Sequence, residues 1–379
     1  MKIVIACDSF KESMSALEAC CAIEKGIKTV DQTIDCLCIP MADGGEGTTE
    51  VLKKALGAAP CYVKVENPFG QAIEAMYCMN KEGVAIMEVA TTCGIDLISR
   101  EQRNPTKGLS VGLGQMIKDA IERGAKKIMI GLGGSGTNDG GYGMLCALGA
   151  KFYDRYNQLL PTNLASIKKV EKMDLSPVYQ LLDKCKIVVA SDVDNVFTGE
   201  AGATYVFGKQ KGANQKQLDY LEQSLIHFQK VIFRQYDIQL DRIKKTGSAG
   251  GIGGALYLLG ATMMSGIDLV IQVTELEKHI QDADYIMTGE GSIDAQTING
   301  KTISGVARVA TRYNIPVVAF GGRITREAQN LYDIGVTSMF SITNEAKTLN
   351  QALLDGQKYL QLTAENVCRL LVKSFIYND

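Results

Sequence analysis

Short apolar runs rich in β-branched residues alternate with helical stretches at both ends of this chain, and that alternation constrains the fold more than any other feature. Residues 3–7 form a strand candidate, 16–29 a helix, 34–39 a second strand and 47–56 a helix. The rhythm returns at 285–287, 317–320 and 338–342, with helices between these strands and after residue 349. Strands that alternate with helices point to a parallel sheet covered on both faces. The middle reads differently. Residues 62–65, 73–79 and 84–89 lie close together, separated by turn chemistry such as Asn67-Pro68 and Lys81-Glu82-Gly83, which suits a meander. Helical patterning resumes at 111–123, strands are expected at 127–130 and 186–190, and 215–241 carries apolar positions at helical spacing. At 379 residues the chain exceeds one typical domain. The expected architecture is α/β: a doubly wound Rossmann-like parallel-sheet domain from 1–65 and 280–379, with a second, mixed α/β domain, 66–279, inserted in it.

Composition excludes several classes. Lys and Arg number 40 against 42 Asp and Glu, a net charge of -2, so no nucleic-acid or membrane-surface partner is implied. No apolar run approaches the ~20 residues that span a bilayer. The start, Met-Lys-Ile-Val-Ile-Ala-Cys-Asp, reads as a strand rather than a signal peptide, and a cytoplasmic location is expected. The 11 cysteines form no C-x-x-C pair and read as reduced, buried thiols. With only His227 and His279 present, a His-based triad is not expected.

Glycines and carboxylates gather in five clusters. Asp8-Ser9-Phe10-Lys11 follows the first strand, at the strand end where open α/β sheets bind ligands. Asp43-Gly44-Gly45-Glu46-Gly47 follows the second and could serve Mg²⁺ or an anion. Residues 131–141 are glycine-rich and include Gly133, Gly134, Ser135, Thr137, Asn138 and Asp139, a density of backbone donors suited to phosphate or carboxylate. Gly131, Gly133 and Gly136 also satisfy the G-x-G-x-x-G dinucleotide fingerprint, with Asp154 near the expected acidic position. No strand is evident ending there, which weakens that reading. Ser191-Asp192-Val193-Asp194-Asn195 follows strand 186–190, and Lys209 and Lys211 lie in a glycine-bearing segment downstream. Last, Gly289-Glu290-Gly291-Ser292-Ile293-Asp294 leads to Asn299-Gly300-Lys301-Thr302. A P-loop is excluded there because Ala295 stands where its first glycine is required, although Lys301 could still meet phosphate. Glycine-rich loops, acidic side chains and a few lysines, with no nucleophile–histidine pair, fit phosphoryl transfer, which asks for positioned phosphates, Mg²⁺ and a carboxylate near a hydroxyl.

These same residues carry a resemblance. Asp8 to Lys11 with the following Ser13-Met14-Ser15-Ala16, and Pro40 to Thr48, resemble two signatures of the bacterial glycerate kinase family. Residues 133–141, 191–195, 207–213 and 288–294 fall in that family's order as well. The resemblance implies ATP- and Mg²⁺-dependent phosphorylation of D-glycerate to 2-phosphoglycerate by a two-domain α/β enzyme with its active site in the cleft between domains. Among its residues, Asp192, Lys11 and Asp8 are the expected catalytic groups, Asp192 orienting or deprotonating the acceptor hydroxyl. Asp43 and Glu46 are expected to serve the metal. Ser9, Gly44, Gly45, Gly133, Gly134, Ser135, Thr137, Asn138, Asp139, Asp194, Asn195, Gly289, Glu290, Gly291, Asp294 and Lys301 are expected to bind substrate or phosphate, with Lys11 and Lys301 neutralising charge that develops on transfer.

The sequence also departs from the family pattern. Glu12 stands where Gly is usual, Gly136 for Ala, Ser292 for Arg, Val196 for Pro, and Leu113 for Thr between Gly112 and Gly114. A kinase for a related hydroxy acid, or one forming 3-phosphoglycerate, is therefore an alternative. An NAD-dependent oxidoreductase and a ligand-binding regulator are the readings from other classes. The expected partners are small molecules, glycerate and ATP. Oligomeric state is left open, a homodimer among the options.

Overall fold

The computed structural model describes residues 1–45, 47–298 and 300–376; Glu46 and Asn299, both in expected site motifs, lie outside them. The chain forms two compact units, one from Met1–Ala55 with Ser265–Asp379 and the other from Leu56–Met264. These limits correct the expected ones on two counts. The strand Ala59–Glu66, expected with the first domain, pairs antiparallel along its length with Ala72–Met79 and so lies in the second unit's sheet. The helix Gly266–Val273 belongs to the first unit: a Cβ on Gly305 of the helix Thr302–Thr311 would stand 2.3 Å from Ile267, so these two helices pack closely.

In the first unit a five-stranded sheet runs in the order Val336–Ser341, Val317–Ile324, Tyr285–Ile293, Lys2–Ile5, Asp35–Cys38, all parallel. Ile3, Val4 and Ile5 are fully buried, as a parallel strand covered on both faces requires. The helix Ala16–Val30 starts at a capping box: Ser15 Oγ accepts from the Glu18 amide, and Glu18 accepts from the Ser15 amide at 2.8 Å. Its Ala19, Ile23 and Ile27 face the core. Gly26 brings it against the helix Gly356–Ile376, since a Cβ there would lie 2.4 Å from the Gln361 carbonyl.

The second unit holds a six-stranded sheet in the order Thr262–Met264, Lys186–Ala190, Lys127–Gly131, Val84–Glu88, Ala72–Met79, Ala59–Glu66. The first four strands are parallel and the last three form the expected meander. A separate pair, Lys151–Tyr153 with Lys172–Asp174, is too short to announce itself by alternation. The helix Gln215–Tyr236 ends earlier than its periodicity suggests because Asp237 turns left-handed, at φ 57°. Around it Tyr142, Phe152 and Phe228 form an aromatic cluster with ring centroids 4.5–6.2 Å apart. Gly112 and Gly114 let the helix Val111–Glu122 press on its neighbours: added Cβ atoms would stand 2.0 Å from the Glu66 carbonyl and 2.4 Å from that of Met144. Leu113 between them is fully buried, so the family's Thr gives way here to an apolar core residue.

No described helix is long and apolar enough to cross a membrane. None of the 11 cysteines is exposed, and burial pushes the Cys36 thiol up to about 11. His227 is engaged structurally, its Nε2 lying 2.7 Å from the Val170 carbonyl.

Candidate active site

In the first unit's sheet the chain runs outward from the centre in both directions. Lys2–Ile5 leads to Asp35–Cys38 on one side, and Tyr285–Ile293 leads to Val317–Ile324 and Val336–Ser341 on the other. The pair Lys2–Ile5 and Tyr285–Ile293 is therefore the topological switch point, where the connecting segments diverge and leave a crevice at the strands' carboxyl ends. Asp8 and Glu290 stand at that crevice. The junction is tightly stitched: the Ala6 amide donates to Met287 O at 2.8 Å, the Asp8 amide to Gly289 O at 2.9 Å, and Thr288 Oγ1 to Ala6 O at 2.6 Å. A cavity of about 430 Å³ opens here, and Asp8, Ser9, Lys11, Asp43, Glu290, Gly291 and Lys301 all line it. Motifs far apart in sequence thus meet within one unit, Asp8 and Thr302 being 294 positions apart.

Burial sets the charge state of these groups. Asp8 is raised to about 6, first by desolvation and then by the nearby Asp43 carboxylate; bonds from Thr302 Oγ1, at 2.5 Å, and from the Ser9 amide, at 2.6 Å, oppose the rise. Glu290 is raised to about 7 by burial, with Asp8 and Asp43 adding to it and a bond from Thr297 Oγ1 and the Lys301 charge working against it. The Asp43 charge opposes ionisation of both Asp8 and Glu290, so the site gains from a cation. Among the described residues no three His, Cys, Asp or Glu side chains form a ready metal cage. Magnesium needs less, since it is commonly held by one or two carboxylates, phosphate oxygens and water.

The glycines here act chiefly through space. The strand expected to end at residue 287 continues to Ile293, because its pairing with Val317–Ile324 persists to Ile324. Gly289 and Gly291 therefore lie in a strand rather than a phosphate-cradling loop, and they let the Phe10–Lys11 turn close over it: a Cβ on Gly289 would be 3.1 Å from the Phe10 ring, and one on Gly291 3.2 Å from the Lys11 amide. Gly44 adopts φ 102° in a loop whose Gly45 amide donates to Asp43 Oδ1 at 3.0 Å. Asp294 lies outside the cavity lining and accepts from the Gln296 amide at 2.8 Å, closing its own turn. Glu12, where the family favours Gly, sits at φ 62°, the left-handed region that glycine enters freely and glutamate does not.

The second unit carries the other expected residues. Asp139 is fully buried, and its carboxylate accepts from Ser110 N and Oγ, both at 2.8 Å, Gly143 N at 3.0 Å and Gly141 N at 3.1 Å. It organises the glycine-rich loop from within. Lys211 is buried too, donating to Ser135 Oγ at 2.9 Å and to Thr137 O at 2.7 Å. Burial lowers its ammonium to about 7, against the pull of Asp139. Gly250 allows a second loop to close on this one, since a Cβ there would stand 2.1 Å from Thr137 O. Asn138 Nδ2 donates to Thr204 Oγ1 at 3.1 Å, while Thr137 Oγ1 and Asn138 Oδ1 are buried without a hydrogen bond to any described residue. Gly133 and Gly134 are exposed, as is Asp192 just past the strand Lys186–Ala190. Asp194 pairs with Lys244 at 2.7 Å and Lys245 at 3.3 Å, and Asn195 Nδ2 donates to Ala201 O at 2.9 Å. A strand does end beside Asp154, at Tyr153, but it belongs to the separate two-stranded pair. Asp154 instead accepts from the Tyr156 and Gln158 amides at 2.8 and 2.9 Å, which removes the ribose-binding role a dinucleotide fold would need.

Sequence reasoning singled out neither Lys211 nor Thr302 as a site residue. Each sits in a noted motif, but an ammonium that pins a loop from inside and a hydroxyl bonded to Asp8 become visible only when distant segments meet.

Two predictions follow from these local conformations. Glu12→Gly removes left-handed strain of about 1–2 kcal/mol per residue, offset in part by glycine's greater chain entropy of about 0.5–1 kcal/mol. The variant is expected to unfold at a higher midpoint in a thermal melt, and a lower midpoint would contradict the strain argument. For Lys211, the unfolded chain holds the proton up to 10.5 whereas the folded chain releases it near 7. Between those values the unfolded state binds more protons, so this lysine's contribution to stability rises with pH across that window. Urea titrations should show wild type gaining on Lys211→Met between pH 7 and pH 10; a constant difference would mean the buried ammonium keeps its proton.

The assembled motifs have counterparts in known proteins. The glycerate kinase family model matches residues 3–372. A glycerate kinase of Halalkalibacterium halodurans is 39% identical over 367 residues, 96% of this chain and 97% of that protein. A glycerate 2-kinase of Escherichia coli K12 is 38% identical over 371 residues, 97% of this chain and 96% of that one. A crystal structure described as glycerate kinase 2 from Salmonella typhimurium LT2 superposes with a TM-score of 0.87 at 38% identity, covering 99% of both chains. With the matched region taking in all five glycine–carboxylate clusters, the chain belongs to the glycerate kinase family.

Proposed function

We infer that this protein catalyses the ATP-dependent phosphorylation of D-glycerate to 2-phosphoglycerate. The observation that carries the reading is the meeting of Asp8, Lys11, Asp43, Glu290 and Lys301 around one cavity at a sheet switch point, in a chain of this family. Phosphoryl transfer between oxygens asks a protein mainly to position groups and to balance charge. Lys11 and Lys301 supply positive charge for the transferring phosphoryl group. Asp8, held near 6, is ionised at neutral pH yet basic enough to take part in proton transfer.

Magnesium belongs to the same proposal. Asp43 would hold it, and when bound it would neutralise phosphate charge and fix the polyphosphate. Glu46, the other expected ligand, lies outside the described residues. The orienting role of Asp192 and the substrate-binding role of residues 133–139 are likewise proposed, with Lys211 and Asp139 keeping that loop in shape. A cytoplasmic location fits this chemistry, since ATP is its donor.

The direct test incubates the purified full chain with D-glycerate, ATP and Mg²⁺ and identifies the product by ³¹P NMR. A 2-phosphoglycerate signal that needs all three components is expected. A 3-phosphoglycerate signal would keep the kinase and overturn the position of transfer, and no product from folded protein would overturn the substrate. Lys11→Ala and, separately, Asp192→Asn are expected to lower kcat by about 10²-fold or more, the scale for a positioned charge or proton-transfer group; undiminished turnover would remove that residue from the mechanism.

A further inference from the structure

The cavity beside Asp8 has an apolar lining as well as a charged one. The apolar part is built by Ile342, Tyr359 and the short helix Leu349–Leu354. That helix buries none of its residues. Leu349, Ala352 and Leu353 are spaced i, i+3, i+4, so they share one face, and all three line the cavity. Leu349 is 72% exposed, an apolar side chain held over a cavity with no protein core behind it. The wall is nonetheless fixed in place: Ser13 Oγ donates to Leu353 O at 2.7 Å, and Gly356 fits so close to Ser13 that a Cβ would stand 2.2 Å from that hydroxyl. The turn that presents Lys11 thus also anchors the apolar helix.

Charged groups make up much of the remaining lining. Beside the carboxylates Asp8, Glu12, Asp43 and Glu290 stand Lys11, Lys301 and Arg323, and none of these three cations closes an ion pair with a described residue. Arg323 lies on the strand Val317–Ile324 directly opposite Ser292 of the strand Tyr285–Ile293, so the neutral hydroxyl at 292 has a guanidinium beside it across the sheet.

Glycerate has three carbons, each bearing oxygen, and has no use for an apolar wall. A purine nucleoside triphosphate has both an apolar, aromatic end and a polyanionic tail, and about 430 Å³ falls in the range of small-molecule pockets. We propose that the nucleoside of the phosphoryl donor occupies this apolar arm, its base against Leu349, Leu353 and Tyr359, with its polyphosphate directed toward Arg323, Lys301 and Lys11. The assignment rests on the kinase reading above and names the place of the donor within it.

The test uses the full chain and two exposed positions, Leu349→Asp and Arg323→Gln, neither of which has a core to disrupt. Each is expected to raise KM for ATP by about tenfold or more, the scale of one lost buried leucine or one charge-assisted phosphate contact, while KM for glycerate stays within about twofold. An unchanged KM for ATP, or a rise in KM for glycerate instead, would overturn the assignment. Calorimetric titration of Mg·ATP into wild type and Leu349→Asp without acceptor separates this idea from the kinase reading. Weaker ATP binding by the variant upholds the arm even if glycerate yields no product. Equal binding by both proteins, with 2-phosphoglycerate still formed, overturns the arm and leaves the kinase standing.

Discussion

Everything in the first unit's site depends on the parallel pairing of Lys2–Ile5 with Tyr285–Ile293. Those strands are far apart in sequence, and closing so long a loop has an entropic cost that grows only slowly with its length. What repays it is burial: Ile3, Val4, Ile5, Ile286 and Met287 are all fully buried at this junction. The hydrogen bonds from Ala6 and Asp8 to Met287 and Gly289 continue the ladder just past the strand end. Asp8 and Glu290 are brought together by that ladder and by nothing local to either.

Glycines then decide how closely the remaining segments approach. Gly289 and Gly291 admit the turn that carries Lys11, Gly356 admits Ser13, and Gly250 admits the Thr137 loop. In each case the missing Cβ is what permits the contact. These glycines thereby allow charged side chains to be packed from several directions. The second unit's loop is held by buried polar groups, Asp139 and Lys211, whose hydrogen bonds offset part of the cost of removing their charges from water.

That cost is visible in the chemistry. Desolvation lifts Asp8 and Glu290 toward neutrality and lowers Lys211. A site with carboxylates hard to ionise, and with cations that pair with no described residue, is poor at stabilising the fold and well prepared for a ligand that carries both metal and phosphate charge. The same economy places the apolar helix Leu349–Leu354 at the cavity, where it contributes no buried residue to the core.

Much of this was legible in the linear chain. The alternation of apolar runs and helices determined the two kinds of sheet, and the order of Asp8–Lys11, Asp43–Gly45, 133–141, 191–195 and 289–294 was enough to mark the chemistry, because each motif is a continuous stretch following a strand. Where a strand would stop was not, and Gly289 and Gly291 fell inside one because pairing with Val317–Ile324 is a property of two segments. Neither was the location of the unit boundaries, which depend on the partner Ala59–Glu66 chooses. The left-handed state of Glu12, the burial of Lys211 and the apolar lining that shares a cavity with Lys11 and Arg323 were decided only in three dimensions. Sequence periodicity reports which face of an element is apolar; it carries no information on which distant face, charge or cavity that element will meet.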